Sequence, residues 1–370
     1  MAGITPIVMP KWGLSMQEGR VVEWLVEEGA RIEVGMAILE VETDKIANAV
    51  EAADAGILRR RVAAEGEVLP VKALLGVMAG SDVSDAEVDA FVAGYVTPAA
   101  EEAGEEAAPA TRFIEVDGLR IRYARRGAAE GTPVLLIHGY GGDLDNWLFN
   151  IDAIGERLPV IAFDLPGHGQ SSVAVPGNDV AALAAFTGRL MDALEVGTAH
   201  LVGHSLGGAI ACDLALSQPG RVASLSLIAS AGFGDEIDEG YTRGFAAAQS
   251  KRELKAVMEK LFADPAAVTR QMLDDVLKYK RLDGVGELLG RLCDGLFAGG
   301  RQQAQPGLRL AGCGKPVLAV WGREDRVVPA VHAERVARPA TVAVLDGAGH
   351  MVQMEKANEV NRLILKHVAG

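Results

Sequence analysis

The 370-residue sequence has few cysteines, no long apolar run and no excess of positive charge. Its three cysteines, Cys212, Cys293 and Cys313, are scattered and lack zinc-site spacing, so we predict no metal site and expect reduced thiols. No apolar stretch approaches the roughly twenty residues of a membrane span. The net charge of −14 disfavours binding to nucleic acid or to an anionic membrane. The N-terminus also lacks a signal-peptide pattern, and we therefore expect a cytoplasmic protein.

Short strand-like runs separated by glycine-containing turns occupy residues 1–80. Two stretches, VVEWLVEEGARIEVGMAILEVET and GILRRRVAAEGEVLPVKALLGVMA, each contain a strand, a Glu-Gly turn and another strand. This pattern predicts a small all-β sandwich or flattened barrel built from two similar hairpin units. Residues 81–110 are acidic and rich in Ala, Glu, Gly and Pro, which predicts a linker with a weakly helical first part.

From Thr111 onward, strand-like apolar runs alternate with helix-compatible segments. The runs VLLIH, VIAFD and LVGH are dominated by apolar residues, as buried parallel strands are. The alternation predicts a doubly wound α/β sheet over residues 111–370, with an antiparallel hairpin at its start. Amphipathic helical sequence between about 233 and 307 predicts a helical cap over the strand ends.

The segment GHSLG, residues 203–207, matches the pattern G-x-S-x-G and lies between an apolar strand and a good helix. The glycines permit a sharp turn that exposes the Ser205 hydroxyl at a helix N-terminus, where developing negative charge is favoured. Asp325 and His350 follow two later strands in the chain order expected of a catalytic triad in this fold. Asp325 is preferred to Glu324 because it directly precedes the turn into the next helix. The alternative is that these residues have no catalytic role. Ser205 would then lie in an ordinary glycine-rich turn, Asp325 would cap a helix and His350 would be a surface loop residue.

Two backbone N–H groups, those of Leu206 and Tyr140, are the predicted oxyanion-hole donors. Leu206 follows the nucleophile, and Tyr140 lies in the loop after the strand VLLIH. His138 and His168 are interpreted as residues that support their loops. We assign no chemical role to His204.

The order of these motifs carries a family resemblance. Residues 111–370 resemble the α/β-hydrolase superfamily, since they contain HGYGG, DLPGHGQS, GHSLGG, GREDRVVP and GAGH in that order. The resemblance covers about seven tenths of the chain. It implies the fold and the serine nucleophile but says little about the substrate, because the fold hosts many chemistries.

Residues 1–80 resemble the lipoyl domains of 2-oxoacid dehydrogenase complexes, from MPKWG to VETDKIANAVEA. In that family the lysine of the TDK turn carries lipoic acid in amide linkage, which implies covalent lipoate on Lys45. A rigid β scaffold that presents one lysine at its tip lets a long prosthetic group swing between active sites. Related biotin domains have methionine on both sides of the lysine, whereas this chain has Asp44 and Ile46. Lipoate is therefore favoured, with an ordinary surface lysine as the alternative.

The pairing of a carrier domain with a serine acyl-transfer domain resembles the acetyltransferase component of acetoin dehydrogenase complexes. The resemblance implies acetyl transfer from acetyl-dihydrolipoyl-Lys45 to coenzyme A. It also implies a thiamine-diphosphate-dependent acetoin dehydrogenase component, a flavin dihydrolipoamide dehydrogenase, a lipoate ligase or lipoyl transferase, and a homo-oligomer. No peripheral-subunit-binding domain is recognisable, and the H-x-x-x-D-G signature of ordinary acetyltransferases is absent from residues 111–370. The sequence therefore does not identify the surface that docks the partner enzymes.

Three other interpretations stay open. A lipoyl-tethered serine hydrolase or thioesterase would use water in place of coenzyme A, and water and thiol would attack the same acyl-serine. Direct thiol-to-thiol exchange would leave Ser205 as a polar wall, and an inactive hydrolase fold would serve as a carrier or scaffold. No stretch of the cap has the pattern of a coenzyme A pocket. Basic residues on amphipathic helices such as those of the cap usually form a solvated helix face. The basic residues available there are Arg243, Lys251, Arg252, Lys255, Lys278, Lys280 and Arg281.

Overall fold

The computed structural model describes residues 3–12, 16–43, 47–52, 54–98, 111–127 and 130–369. The chain divides into two compact units, Met1–Pro109 and Ala110–Gly370. Within the described ranges, no helix combines the length and the apolar character needed to cross a lipid bilayer.

The first unit consists of two four-stranded antiparallel sheets with the strand orders β1-β8-β6-β3 and β5-β4-β2-β7. Leu39 and Val41 from one sheet share a core with Leu58 and Leu75 from the other, and all four are fully buried. This arrangement confirms the predicted all-β sandwich. The strands are β1 (Ile4–Val8), β2 (Glu18–Trp24), β3 (Arg31–Ile32), β4 (Ala37–Glu42), β5 (Ala47–Glu51), β6 (Gly56–Arg61), β7 (Val68–Pro70) and β8 (Leu74–Ala79).

A ten-residue helix, α1 (Asp85–Gly94), lies inside the segment 81–110, which was predicted as a linker with a weakly helical first part. Its Val88 is buried in a small apolar cluster that includes residues of β8. Arg59 of β6 donates to the Asp85 carboxylate at 2.8 Å. The acidic sequence, which suggested a solvated linker, therefore folds onto the first unit because arginines of β6 pair with its carboxylates. The folded region extends beyond residue 80.

The second unit is built on an eight-stranded sheet with the order β16-β15-β14-β13-β11-β12-β10-β9. β9, β10 and β12 pair antiparallel, and the remaining neighbours are parallel. The predicted α/β sheet with an initial hairpin is thus confirmed. The strands are β9 (Arg112–Val116), β10 (Leu119–Arg126), β11 (Val134–Ile137), β12 (Val160–Phe163), β13 (Ala199–His204), β14 (Val222–Ile228), β15 (Val317–Gly322) and β16 (Thr341–Leu345).

The order of the strands reverses at β11, which lies between β12 and β13. In open α/β sheets, ligands bind in the crevice at the carboxyl ends of the strands where this reversal occurs. The loop after β11 and the turn after β13 meet there, so the topology places Tyr140 and Ser205 at the expected edge of the sheet.

Helices connect the parallel strands, and α5 to α8 lie between β14 and β15, in the region predicted as a cap. Leu288 and Leu292 of α8 are four residues apart and both buried, as the inward face of an amphipathic helix requires. The helices of the second unit are α2 (Ile151–Gly155), α3 (Val180–Ala193), α4 (Leu206–Ser217), α5 (Glu239–Ala247), α6 (Lys251–Met258), α7 (Arg270–Lys280), α8 (Val285–Phe297), α9 (Val352–Glu355) and α10 (Ala357–Val368).

Candidate active site

Ser205 occupies a sharp turn between β13 and α4. Its backbone has φ 53° and ψ −118°, a region that costs about 1–3 kcal/mol for a residue with a side chain. A Cβ atom at Gly203 would collide with the Gly207 carbonyl, and one at Gly207 would collide with the Ile137 carbonyl. Both glycines of the motif are therefore required by the close approach of backbone atoms. The turn has the geometry expected of a nucleophile elbow.

A buried pair, His350 and Asp325, follows β16 and β15 respectively. His350 Nδ1 lies 2.8 Å from Asp325 Oδ2, and both side chains are almost inaccessible to solvent. The other carboxylate oxygen, Oδ1, accepts the Val327 and Val328 N–H groups at 2.8 and 2.9 Å. Because Nδ1 donates to the carboxylate, Nε2 remains available as a base. Within residues 130–369 the Ser205 hydroxyl makes no hydrogen bond. Catalytic hydrogen bonds are commonly long until a substrate binds.

The neighbouring carboxylate, Glu324, has a different partner. It accepts the Ala348 N–H at 3.0 Å and so supports the loop that leads to His350. The structure therefore brings Asp325, and not Glu324, to the histidine.

The loop after β11 passes directly over the nucleophile turn. A Cβ atom at Gly139 would lie 2.9 Å from Ser205 Cβ. Within the described part of the chain, neither the Tyr140 N–H nor the Leu206 N–H donates to a backbone carbonyl. Two free N–H groups beside a serine are suited to stabilise an oxyanion. The Tyr140 side chain points into the cap, where its hydroxyl donates to the Leu289 carbonyl at 2.9 Å.

Buried histidines support these loops. His138 Nε2 accepts the Leu165 N–H at 2.9 Å, which leaves the proton on Nδ1, 2.7 Å from the Gly139 carbonyl. Burial lowers the pKa of His138 well below its usual range. His168 lies 3.1 Å from the Pro166 carbonyl, and burial lowers its pKa to about 4. Both rings are neutral and act as braces, as the sequence suggested.

Two residues without a predicted role hold the His350 segment. His204 Nε2 lies 3.0 Å from the His350 carbonyl, and the two rings are 4.7 Å apart. The Glu355 carboxylate accepts the Gly349 N–H at 2.8 Å and the Ala263 N–H at 2.7 Å. The position of His204 beside the nucleophile was the signal for its involvement. Glu355 had no comparable signal, because its partners are backbone groups.

The family comparisons match both units. The alpha/beta hydrolase fold family model matches residues 132–357, and the family described as biotin-requiring enzyme matches residues 5–78. The dihydrolipoyllysine-residue acetyltransferase component of the acetoin cleaving system of Cupriavidus necator is 59% identical over 367 residues, 99% of this chain and 98% of that protein. The component of the same name from Pseudomonas putida is 48% identical over the same shares. The chain belongs to this acetyltransferase family.

A solved structure is similar to one part of this member of the acetyltransferase family. The meta-cleavage product hydrolase CumD from Pseudomonas fluorescens IP01 has a TM-score of 0.63 and 27% identity, and the match covers 70% of this chain and 97% of that one. The larger unit of this chain thus has an α/β-hydrolase fold.

The carrier lysine predicted for the acetyltransferase, Lys45, falls in the sequence between β4 and β5. β4 and β5 pair antiparallel, and the pairing reaches Glu42 and Ala47. Lys45 itself lies outside the described residues.

Several basic cap residues of the acetyltransferase have partners within the cap. Arg243 pairs with Asp294 at 2.8 Å, and Lys251 pairs with Asp274 at 2.5 Å. Lys280 donates to two carbonyls at the end of α5. These three side chains therefore bind partners within the cap itself.

An acidic cluster lies against the loop after β11 of the acetyltransferase. The buried Asp164 carboxylate accepts the Leu144 N–H at 2.8 Å and lies 3.4 Å from Arg122. Burial raises the pKa of Asp164 to about 6. Burial of its carboxyl, followed by the charges of Asp145 and Asp164, raises the pKa of Asp143 to about 7.

This cluster gives a pH prediction. An unfolded aspartate has a pKa of about 4, so between about pH 4 and 7 the folded state binds more protons and loses stability as pH rises. Asp143→Asn is expected to remove part of that loss and to raise Tm at pH 8 by a few degrees. The asparagine oxygen can still accept the Asp145 N–H. Thermal unfolding from pH 4 to 8, with exposed Asp283→Asn as the control, tests this; parallel curves for all three proteins would contradict it.

Proposed function

We propose that this chain transfers an acetyl group from acetyl-dihydrolipoyl-Lys45 to coenzyme A, with Ser205 as the nucleophile. The observation that carries the proposal is the buried 2.8 Å hydrogen bond between His350 and Asp325, on the same sheet edge as the strained serine turn. The match to two acetyltransferase components over 99% of the chain supports the donor and the acceptor. Lipoate, when attached, supplies the thiol that carries the acetyl group.

In the first half-reaction, Ser205 Oγ attacks the carbonyl carbon of the acetyl thioester while His350 Nε2 takes the hydroxyl proton. Negative charge develops on the carbonyl oxygen, where the Leu206 and Tyr140 N–H groups stabilise it. The carbon–sulfur bond then breaks, and His350 returns the proton to the leaving sulfur. The products are acetyl-Ser205 and a free thiol.

In the second half-reaction, coenzyme A replaces the leaving thiol. Its sulfur attacks the acetyl carbon as His350 accepts the thiol proton, and the same two N–H groups stabilise the oxyanion. The bond to Ser205 Oγ breaks and the proton returns to that oxygen. Asp325 remains ionised throughout and keeps the Nδ1 proton of His350 in place.

The proposal extends to the organisation of the chain and its surroundings. The domains are a lipoyl domain from residue 1 to about 80 with α1 packed on it, a linker that ends near residue 110, and an acyltransferase domain over 111–370 with a cap at about 233–307. A reducing cytoplasm suits a dithiol carrier and three free cysteines. The chain would act as a homo-oligomer with a thiamine-diphosphate-dependent acetoin dehydrogenase component, a flavin dihydrolipoamide dehydrogenase, and a lipoate ligase or lipoyl transferase.

A lipoyl-tethered serine hydrolase is the second candidate function, because the similar solved structure is that of a hydrolase. Both reactions form the same acetyl-serine and differ only in the acceptor. Lipoylated protein supplied with acetyl-dihydrolipoamide, with and without coenzyme A, separates them. Acetyl-coenzyme A formation that exceeds acetate release supports the transferase, whereas acetate release at a rate indifferent to coenzyme A supports the hydrolase.

Asp325→Asn is expected to lower kcat for acetyl transfer by about 10³–10⁴-fold. The asparagine oxygen can still accept the Val327 and Val328 N–H groups, so the loop remains folded. Its NH₂ group would face His350 Nδ1 and favour the tautomer with the proton on Nε2, which cannot accept the serine proton. Steady-state kinetics measure the effect, and Asp346→Asn on the exposed loop before His350 is the control. Equal activity of the two variants would remove Asp325 from the mechanism.

A further inference from the structure

One tyrosine of the cap, Tyr241, contacts both the loop that contains Tyr140 and the His350 ring. It lies in the first turn of α5 and is buried. Its hydroxyl donates to the Tyr140 carbonyl at 3.0 Å. Its ring lies 6.5 Å from the His350 ring, measured between centroids. A single side chain from the cap therefore joins two parts of the site that are far apart in the sequence.

The same helix is packed tightly over the loop that contains Tyr140. Gly141 has φ 76°, and a Cβ atom there would lie 2.5 Å from the Phe245 ring, also on α5. The Tyr140 ring packs edge-on against Phe245, with the centroids 6.0 Å apart. Only a glycine fits under this part of the cap, so the path of the loop is set by its contact with α5.

The beginning of α5 is also linked to the loop that contains Asp325. The Asp238 N–H donates to the Val327 carbonyl at 2.9 Å, and the Val327 N–H donates to Asp325 at 2.8 Å. The position of Tyr241 is thereby fixed relative to the Asp325 loop. Hydrogen bonds thus link His350 to Asp325, the Asp325 loop to the start of α5, and α5 to Tyr140.

We propose that Tyr241 is a positioning residue for acyl transfer. Its hydroxyl holds the Tyr140–Gly141 peptide through the Tyr140 carbonyl and so limits rotation about Tyr140, whose N–H lies in the preceding peptide, while its ring packs beside His350. This inference rests on the function proposed for Ser205 and adds a residue that touches no reacting atom. Without the hydroxyl, the Tyr140 carbonyl loses its donor and the residue gains freedom to rotate away from the oxyanion.

The cap offers a matched control in Tyr279. Its hydroxyl, on α7, donates to the Gly167 carbonyl at 2.5 Å, and the residue is partly buried. Tyr279→Phe therefore removes the same kind of cap-to-loop hydrogen bond as Tyr241→Phe. The difference is that Gly167 lies in the loop after β12, whereas Tyr140 carries an oxyanion donor.

The test compares Tyr241→Phe, Tyr279→Phe and Ser205→Ala in full-length lipoylated protein. Active sites are titrated with a fluorophosphonate where Ser205 is present, so that kcat refers to folded protein only. Tyr241→Phe is expected to lower kcat by about tenfold, with KM for acetyl-dihydrolipoamide and the pH midpoint of kcat/KM unchanged. The p-nitrophenyl acetate burst should slow by the same factor. Tyr279→Phe should change kcat by less than about twofold and should change Tm by about as much as Tyr241→Phe does.

Equal kcat for the two tyrosine variants, or a Tyr241→Phe effect confined to Tm or KM, would overturn the positioning role. Ser205→Ala reports separately on the proposed function. If it abolishes transfer while Tyr241→Phe retains full kcat, the serine route stands and only the role of Tyr241 fails. If Ser205→Ala transfers acetyl normally, the serine route fails, and the positioning role fails with it.

Discussion

Replacement of Ser205 by alanine is expected to lower coenzyme A-dependent acetyl transfer by about 10⁴-fold or more, because no acetyl-serine can form. Alanine retains Cβ and can occupy the same strained turn, so the fold should persist. The residual rate would come from the Leu206 and Tyr140 N–H groups and from binding of the donor. Steady-state transfer from acetyl-dihydrolipoamide measures the loss.

The control for this change is Ser217→Ala at the end of α4. Its hydroxyl donates to the Asp213 carbonyl on the exposed side of the helix, away from the turn. Wild-type kcat is expected for this variant. Transfer by Ser205→Ala at the wild-type rate would instead show direct attack of one thiol on the other's thioester, with the serine as a wall of the site.

Replacement of Lys45 by arginine is expected to abolish lipoylation and, with it, turnover that depends on the carrier. The guanidinium of arginine does not form the amide to lipoate, yet it preserves the positive charge at position 45. Transfer from free acetyl-dihydrolipoamide should be retained, since Ser205, Asp325 and His350 are unchanged. Intact-mass spectrometry after lipoylation measures the first effect, and the two acetyl-transfer assays measure the second.

Lys72→Arg is the matched control for the carrier lysine. Lys72 is exposed in the turn between β7 and β8, with φ 70°, and its carbonyl accepts the Tyr95 hydroxyl. Arginine should be tolerated there, and lipoylation should be complete. Lipoate found on Lys72→Arg but also on Lys45→Arg would place the attachment site elsewhere in the chain.

Local patterns in the sequence predicted the features that depend on nearby residues. The nucleophile turn requires Gly203 and Gly207 within two residues of Ser205, so the motif and its geometry coincide. Asp325 and His350 follow their strands directly, and the topology of the sheet brings those strand ends together. Short strand-like runs between glycine turns were likewise sufficient to predict the first fold, and apolar runs alternating with helix-compatible segments to predict the second.

Features that depend on distant backbone groups left no such pattern. Tyr241 donates to the Tyr140 carbonyl, about one hundred positions away in the chain. Any residue type can supply a carbonyl, so no motif announces such a bond. The sequence indicated weak helicity in this segment but not the packing of helix α1 on the first unit, because the partners of its acidic residues are Arg59 and Arg60 on a distant strand.

The central claim is that an acetyl group on the carrier reaches coenzyme A through Ser205. The most direct measurement is a single turnover of lipoylated protein whose carrier holds a radiolabelled acetyl group, mixed rapidly with coenzyme A and quenched at successive times. We predict that label leaves the Lys45 peptide, passes transiently through the Ser205 peptide and accumulates in acetyl-coenzyme A. Label that appears as acetate at the same rate with and without coenzyme A would contradict the account.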